Sequence, residues 1–233
     1  MRILQIFTGY ARIPNEGASS VGRRIFSISK NLAKMGHEVT ILDICYGLGF
    51  NTLCTLLYYQ ENSPQTKLNI YSPELDSELI KSLKNFTYPS EFEQFREIIV
   101  ALSERYVYED EKLYIELFLG DAREYIKRFE NKFDIVYQDA FSPSSNPILW
   151  TKEYFADIKK ALTRNAILTT YSIALKTRIA LHENGFYIYL NEGEDYRTAT
   201  IASPSKLKNL EVVNMEHKIT CNPDVHSLRD SEI

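Results

Sequence analysis

The sequence predicts an α/β protein with a doubly wound, mostly parallel sheet and an antiparallel edge at its C-terminal end. Short apolar runs typical of strands alternate with stretches that have the apolar spacing of helices. One run, ILDICYGLGFNT at 41–52, passes through a glycine turn into a helix start. Gly47 and Gly49 allow a ligand to approach the backbone closely, which is typical of a nucleotide-cofactor loop. Thr52 replaces the third glycine of the full motif, so the turn alone also fits an ordinary strand-to-helix connection.

The first half of the chain alternates between strands and helices. ILQIF at 3–7 is a short apolar run typical of a strand, whereas 23–37 has apolar residues at helical spacing. EVTILDI at 38–44 is rich in β-branched residues, which favour strands. After the glycine turn, NTLCTLLYY at 51–59 is predicted to be a helix. LNIYS at 68–72 is the next predicted strand.

The second half continues the alternation and ends in strands. The helix predicted at 91–106 combines helical apolar spacing with a charged outer face. LYIELFLG at 113–120 and FDIVYQDAF at 133–141 are apolar strand runs, with a short helix at 122–129 between them. The series then ends with one helix and three strands, at 152–162, 166–172, 186–190 and 198–203.

The composition indicates a globular protein with one main domain. The chain has 233 residues and a net charge of −4, with 44% hydrophobic and 25% charged residues. We expect a domain at 41–203, an atypical strand–helix segment at 1–40 before it and an extension at 204–233 after it. No apolar run reaches the roughly 20 residues of a membrane span, and the 3 cysteines fit neither a disulfide framework nor a zinc site. These features predict a cytoplasmic protein without membrane or metal partners.

Acidic residues follow three predicted strands, at the edge where a doubly wound fold binds its ligand. Glu74 has the offset from the glycines that is expected of an acid bonding ribose hydroxyls. Asp121 follows Gly120, so that the acid can bond an adenine amino group while the glycine admits the ring. Asp139 ends the next strand. Structural alternatives stay open, namely a solvated helix start for Glu74, a helix N-cap for Asp121 and a purely structural Asp139.

The loop after Asp139, FSPSSNPILW at 141–150, has the composition of a site for a flat acceptor. Its two prolines and Asn146 favour an irregular backbone, and Phe141 and Trp150 offer flat aromatic faces. A flat acceptor must be held by hydrogen-bond acceptors while aromatic side chains stack on its ring. Trp150 can equally be a core residue.

These segments resemble the methyltransferase domain of the tRNA 5-methylaminomethyl-2-thiouridine biosynthesis family, from about residue 41 onward. GLGFNT, YSPELD, GDARE, LTTYS and HENGFYIY carry the resemblance, and DAFSPSSNPILWT is its most specific part. The resemblance implies a Rossmann-like class I methyltransferase fold and S-adenosyl-L-methionine as cofactor. It also implies N-methylation of the 5-aminomethyl group of (2-thio)uridine at the tRNA wobble position.

The resemblance assigns roles to individual residues. Asp139 is the expected catalytic residue, which orients the acceptor amine first and acts as general base second. The expected cofactor-binding residues are Gly47, Gly49, Asn51, Glu74, Asp121 and Ala122. The expected substrate-binding residues are Phe141, Asn146, Pro147, Trp150 and Tyr171.

The expected partner is the anticodon loop of tRNA. Fused family members carry a flavin oxidoreductase domain for which this chain has no length, so we expect separate enzymes to supply aminomethyluridine tRNA. Phosphate contacts are expected from a stretch of basic residues. The alternative is that these side chains lie on solvated helix faces. The basic residues are Lys152, Lys159, Lys160, Arg164, Lys176, Arg178 and Arg197.

Other interpretations stay open at this level. Residues 1–42 resemble instead the opening of a family 4 glycosyltransferase, from MRILQI to LAKMGHEVTIL. DIVYQDAF is also similar to polyamine synthases, so a small-amine methyl- or aminopropyl-transferase is an alternative. The remaining alternatives are an inactive remnant that binds cofactor or tRNA, and a glycosyltransferase fragment.

Overall fold

The computed structural model describes residues 38–193, 196–208 and 210–233. The strand predicted at 3–7 and the helix predicted at 23–37 lie outside the described residues, as does the glycosyltransferase-like opening up to residue 37. The described chain begins immediately before the strand that leads into the glycine turn.

Within the described residues, eight strands form one sheet in the order β3-β4-β2-β1-β5-β6-β8-β7. The strands are β1 Val39–Ile44, β2 Leu68–Glu74, β3 Val107–Glu109, β4 Leu113–Leu119, β5 Phe133–Gln138, β6 Leu162–Thr170, β7 Tyr187–Gly193 and β8 Tyr196–Ser203. Strands β4, β2, β1, β5 and β6 are mutually parallel, and β8 and β7 add the predicted antiparallel edge. The doubly wound class is therefore confirmed. The sequence did not predict β3, a three-residue antiparallel strand at the opposite edge.

Seven α-helices connect these strands or follow them in the described residues. They are α1 Phe50–Asn62, α2 Ser77–Ser82, α3 Arg96–Arg105, α4 Ala122–Ile126, α5 Lys152–Ala161, α6 Leu175–Glu183 and α7 Met215–Thr220. The sequence did not predict α2, α6 and α7, since six to nine residues show little helical periodicity. None of the described helices combines the length and the apolar character that a membrane crossing requires.

The helix predicted at 91–106 is divided in the structure. Ser90–Phe95 is a 3-10 helix, and the α-helix begins only at Arg96. Phe92 and Phe95 are both buried, at 0% and 8% exposure. In a 3-10 turn, side chains three residues apart lie one above the other, so this geometry directs both rings to the core.

Two apolar cores lie on opposite faces of the sheet. Ile41 of β1 belongs to the core that α1 and α3 cover, whereas Leu42 and Ile44 belong to the core under α4, α5 and α6. All three side chains are at most 1% exposed, and each such burial stabilises the fold by roughly 1.5–3 kcal/mol. A strand covered on both faces needs a largely apolar run, and β1 departs from one only at Thr40 and Asp43.

The strand order reverses between β1 and β5, and this reversal brings two loops together. From β1 the sheet continues through β2 and β4 on one side, and through β5 and β6 on the other. Ile44 pairs with Gln138, so the glycine loop at 45–49 and the loop that begins at Asp139 leave the sheet side by side. Ligands of doubly wound folds bind in the crevice outside the carboxyl ends of the strands at such a point.

The predicted C-terminal extension at 204–233 packs on the rest of the chain. Val213 donates a backbone hydrogen bond to the Ile188 carbonyl of β7 at 2.8 Å, and Met215 is 2% exposed. Val225 and Leu228 pack against the core under α4, α5 and α6. The extension therefore shares a core with the predicted domain.

Candidate active site

The glycine loop turns sharply at the end of β1. Gly47 and Gly49 have φ values of 57° and 76°, in the left-handed region that favours glycine, and Cys45 adopts 66°. A Cβ on Gly49 would lie 2.6 Å from the Tyr46 ring. A Cβ on Gly47 would meet only the Cys45 carbonyl oxygen, at 3.9 Å. Packing therefore requires glycine at Gly49, whereas Gly47 leaves an open space beside the backbone.

Glu74 joins this loop to the neighbouring strand. Its Oε2 accepts the Gly47 N–H at 2.9 Å, and its Oε1 accepts the N–H groups of Leu75 and Asp76 at 2.8 and 3.0 Å. The sequence pattern predicted Glu74 just past a strand, but pairing with Leu119 makes it the last residue of β2. A carboxylate has about four lone-pair positions, so Glu74 keeps acceptor capacity for the ribose contact that we predict.

A buried carboxylate that the sequence analysis missed lies beside the loop. Asp43 in β1 is 0% exposed, and its two oxygens accept hydrogen bonds from Asn51 Nδ2 at 3.1 Å and Thr52 Oγ1 at 3.0 Å. Asn51 Nδ2 also donates to Asp139 Oδ2 at 3.1 Å. Asn51 was expected near the cofactor because it begins a helix. Its side chain bridges two acids at the switch point, Asp43 within β1 and Asp139 directly after β5, and the cofactor contact stays a prediction.

Burial changes the acidity of two groups at this point. Desolvation raises the pKa of Asp43 to about 7, although the hydrogen bonds from Asn51 and Thr52 oppose the rise. Burial likewise raises the pKa of the Cys45 thiol to about 12, so Cys45 is not a thiolate nucleophile at neutral pH. Part of the rise at Cys45 comes from the negative charges of four surrounding acids, Glu74, Asp43, Asp139 and Asp121.

Asp121 lies at the start of α4, where β4 ends. Its Oδ1 accepts the Arg123 N–H at 2.8 Å, which is the N-cap role that the sequence left open. Gly120 donates its N–H to the Glu74 carbonyl at 2.9 Å, and Ala122 is buried next to it. The cap uses one carboxylate oxygen, so the adenine contact remains a prediction for the other.

Trp150 supports the loop after β5 from the core side. Its ring is 1% exposed and packs edge-on against Phe155 and Tyr171. Its Nε1 donates to the Phe141 carbonyl at 2.7 Å, which satisfies the indole N–H in the buried position. Trp150 therefore fills the core, the alternative that the sequence left open, and its ring face is not available for stacking on an acceptor.

Phe141 and Tyr171 both contact Trp150, Phe141 through its carbonyl and Tyr171 through its ring. The Phe141 side chain is 63% exposed. Tyr171 follows β6 and donates its hydroxyl to the Ala140 carbonyl at 2.9 Å. Burial raises the pKa of Tyr171 to about 12, so it remains a neutral donor at physiological pH. Phe141 thus offers an accessible aromatic face, whereas Tyr171 fixes the start of the loop.

The rest of the loop is held by backbone hydrogen bonds. Asn146 donates its N–H to the Ser142 carbonyl at 2.8 Å, and Pro147 begins a 3-10 helix that ends at Trp150. Gln138, buried at the end of β5, donates Nε2 to the Leu149 carbonyl at 2.7 Å. The fold brings Asn146 and Pro147 into the loop next to Asp139, as predicted from their order in the chain.

The missed residues differ in the signal they left in the sequence. Asp43 is the one charged residue in the strand VTILDI, and a charge there is costly unless it is hydrogen-bonded. That cost could have identified Asp43 as a candidate site residue from the sequence. Arg123, which bonds the loop as described below, lies among other charges in GDAREYIKRF and leaves no such signal.

The described residues fit the S-adenosyl-L-methionine cofactor that the resemblance implies. Gly47 leaves open space next to a backbone N–H. Negative charges near Cys45, those of Glu74, Asp139 and Asp121 among them, contribute to the raised pKa of its thiol, and such charges match the positive charge of a sulfonium. Leu75, directly after Glu74, is an apolar side chain with 77% exposure that can cover an adenine face.

Comparison with known proteins supports the same assignment. A family model described as S-adenosyl-L-methionine-dependent methyltransferase matches residues 91–203. An uncharacterized protein from Methanocaldococcus jannaschii is 30% identical over 151 residues, which are 64% of this chain and 41% of that protein. The tRNA 5-methylaminomethyl-2-thiouridine biosynthesis bifunctional protein MnmC of Leptospira interrogans is 26% identical over 162 residues, which are 66% of this chain and 25% of that protein.

A solved structure is similar over most of the chain. The crystal structure of MnmC2 from Aquifex aeolicus has 28% identity and a TM-score of 0.73, covering 87% of this chain and 65% of that one. The chain spans less than half the length of the two curated relatives described above. The fold is that of a class I S-adenosyl-L-methionine-dependent methyltransferase, and the sequence and structural matches show that the chain is similar to MnmC proteins.

Proposed function

We propose that this chain methylates the 5-aminomethyl group of (2-thio)uridine at the wobble position of tRNA. The observation that carries the proposal is Asp139, a half-buried carboxylate that Asn51 holds at 3.1 Å beside the glycine loop. It heads a loop whose Phe141 ring is accessible for stacking on a splayed-out base. The names of the MnmC relatives, which state 5-methylaminomethyl-2-thiouridine biosynthesis, support this substrate.

The proposed chemistry depends on alignment more than on acid–base strength. The bound cofactor supplies an electrophilic methyl group on its sulfonium. Asn51 occupies Oδ2 of Asp139, so Oδ1 is the oxygen that we assign to the acceptor amine. The carboxylate favours the protonated amine, whereas burial disfavours it. Asp139 therefore orients the amine first and accepts its proton second.

Part of the predicted basic stretch supports contact with RNA. Arg197 of β8 lies beyond the carboxyl end of β6, because Thr200 of β8 pairs with the last residue of β6, Thr170. Lys176 lies in the first turn of α6, which begins at Leu175, five residues after the same end of β6, and both side chains are exposed. Arg164 lies at the opposite end of β6. We assign Lys176 and Arg197 to tRNA phosphate contacts beside the crevice.

The other basic residues have protein partners. Lys152 pairs with Glu183 at 3.2 Å, and Lys160 lies 3.7 Å from Asp157. Lys159 donates to the Asn184 carbonyl, and Arg178 donates Nε to Thr200 Oγ1 at 3.1 Å. These four cations have partners within the protein, so we do not assign them to tRNA contacts.

Transfer of labelled methyl from S-adenosyl-L-methionine to tRNA carrying 5-aminomethyluridine tests the proposal. Fully modified tRNA is the substrate control. The Asp139→Asn variant should lose turnover by on the order of 100-fold, while its cofactor affinity by calorimetry stays within about twofold. No transfer to aminomethyl tRNA by a wild-type chain that binds the cofactor would contradict the proposal. Equal loss of turnover and cofactor affinity in the variant would remove Asp139 from the catalytic role.

A small-amine methyltransferase is the second candidate. The four acids around Cys45 favour it, because their charge attracts a cationic amine without any need for RNA. In that case a polyamine should accept methyl groups in the same assay and tRNA should not. The acceptor loop at 141–150 contains no acid, which favours the tRNA substrate.

A further inference from the structure

We infer that Arg123 is a positioning residue through which the C-terminal tail holds the acceptor loop in its reactive position. The acceptor loop is residues 141–150, and the C-terminal tail is residues 225–233. The inference rests on the proposed function only for the identity of the acceptor. The coupling between tail and loop is a property of the fold and has its own measurement.

The Arg123 guanidinium bonds both segments at once. Its Nη1 donates to the Ile148 carbonyl of the acceptor loop at 3.2 Å. Nη1 and Nη2 donate to the two carboxylate oxygens of Asp230 at 2.6 and 2.5 Å. Such a two-pronged arginine–carboxylate contact fixes orientation as well as distance. The Arg123 side chain is only 13% exposed, so water competes little for these bonds.

The C-terminal tail is itself docked on the first turn of α5. The Leu228 carbonyl accepts the Lys152 N–H at 2.8 Å. Glu153 accepts from Arg229 Nε at 2.6 Å and from the Asp230 N–H at 3.1 Å. Since α5 begins directly after the acceptor loop, the tail holds the loop at its end and, through Arg123, at Ile148.

The ion pair remains charged at neutral pH. The hydrogen bonds from Arg123 hold the pKa of Asp230 below its usual range. Asp230 in turn raises the pKa of Arg123. The contact is therefore intact under the conditions in which a methyltransferase is assayed. A displacement of about 1 Å in a positioned substrate group can reduce a rate by about 100-fold, which is why a fixed loop matters for methyl transfer.

The chain contains a built-in probe of the acceptor loop. Trp150 is the only tryptophan among the 233 residues, and its indole bonds the Phe141 carbonyl inside this loop. Fluorescence of the protein therefore reports the loop directly and needs no tRNA or activity. A residue with a merely structural role would lower stability without changing the accessibility of Trp150 in the folded state.

The test compares the variants Asp230→Ala, Asp230→Asn and Arg123→Ala with Lys127→Ala in the full chain. Lys127→Ala removes a cation from the end of α4, where Lys127 forms an exposed ion pair with Glu124 at 2.8 Å. We expect increased acrylamide quenching of Trp150 and faster hydrogen exchange over 141–150 in Asp230→Ala and Arg123→Ala. Asp230→Asn, which keeps one acceptor oxygen, should lie between these variants and wild type. Lys127→Ala should match wild type.

Kinetics provide the second readout. KM for aminomethyl tRNA should rise on the order of tenfold in Asp230→Ala, as expected for the loss of a charged hydrogen bond. Affinity for S-adenosyl-L-methionine should stay within about twofold, since the cofactor side retains its contacts. If Arg123→Ala does not fold by circular dichroism, the half-exposed Asp230 carries the test.

Unchanged quenching and exchange in a folded Asp230→Ala variant would overturn the inference, as would equal changes in Lys127→Ala. If wild type fails to methylate tRNA, the proposed function fails. The fluorescence and exchange results still decide whether the tail holds the loop.

Discussion

At the scale of single residues, one amide group connects the two halves of the site. Asn51 Nδ2 donates to Asp43 and to Asp139, both at 3.1 Å, so it reduces the repulsion between two carboxylates. Asp139 was predictable, because it ends an apolar strand in a doubly wound pattern. The bridge was not predictable, because Asp43 and Asp139 lie 8 and 88 positions from Asn51 in the chain. Only the folded sheet brings the three residues together.

Replacement of Asn51 by alanine should leave the buried Asp43 carboxylate short of one donor. We expect a loss of about 1–3 kcal/mol in the free energy of unfolding, the usual result for an unsatisfied buried acceptor. Turnover should also fall because Asp139 loses its anchor. Urea denaturation and the methyl-transfer assay measure the two effects. Asn62→Ala in the same helix is the control, since Asn62 is exposed and its side-chain amide donates to the Tyr58 carbonyl. Equal losses in both variants would contradict this role.

Asp43 gives the stability of the protein a characteristic pH dependence. Its pKa in the folded state is about 7, whereas the ordinary value is 3.8. The folded state therefore binds this proton more tightly, and the contribution to stability is complete below about pH 4. It is lost as the pH rises to about 7 and is constant above that value.

Denaturation at pH 5 and pH 8 tests this dependence. Wild type should lose stability relative to Asp43→Asn between the two pH values, because the variant has no proton to release at this position. Parallel curves for the two proteins would show that Asp43 does not titrate in this range.

At the scale of elements, the glycine loop has two glycines with different physical requirements. Gly49 lacks room for a Cβ because the Tyr46 ring lies 2.6 Å away. Gly47 has room, but a left-handed φ. Both glycines belong to the same short segment, GLG, so the sequence does not distinguish their roles. Only the packing of Tyr46 against Gly49 does so.

Alanine at each glycine should therefore have different effects. Gly47→Ala should cost about 1–2 kcal/mol of stability, from the left-handed backbone alone, and should reduce cofactor affinity by filling the open space. Gly49→Ala should cost more stability, since it adds a clash to the same backbone strain. Thermal denaturation and calorimetry with S-adenosyl-L-methionine separate the two effects. Greater instability of Gly47→Ala than of Gly49→Ala would contradict this distinction.

The sequence predicted long elements better than short ones. The apolar strands β1, β4 and β5 were found with bounds within a few residues, because both cores require an apolar run there. Helix α2 depends on local capping by Asp76, whose side chain accepts two backbone N–H groups, rather than on apolar periodicity. The strand β3 has three residues and forms only because β4 offers an edge, so no local pattern predicts it.

At the scale of the whole molecule, the fold sorts the basic residues into separate surfaces. The sequence presented seven cations as one stretch. The register of β6 and β8 places Arg197 beyond the carboxyl end of β6 and leaves Arg164 near the opposite end of that strand. Lys176 lies at the same carboxyl end, because α6 begins only five residues after β6.

Loss of Lys176 and Arg197 should weaken tRNA binding and its dependence on salt. Each phosphate contact contributes about one unit to the slope of the logarithm of affinity against the logarithm of salt concentration. The double alanine variant should reduce this slope by about two, whereas Arg164→Ala should leave it unchanged. Filter binding between low and moderate salt measures the slope. An equal reduction in Arg164→Ala would contradict the assignment.

The sequence by itself determined the class of fold and the order of the chemical groups along it. Alternating apolar runs require a doubly wound sheet, and the glycines and acids follow the strands at whose carboxyl ends such folds bind ligands. The tertiary structure decided which side chains are enclosed and which remain accessible. It buried Trp150, left Phe141 exposed, joined Asp43 to Asp139 through Asn51 and bonded Arg123 to Asp230. Those outcomes depend on contacts between residues far apart in the chain, and local patterns carry no information about such contacts.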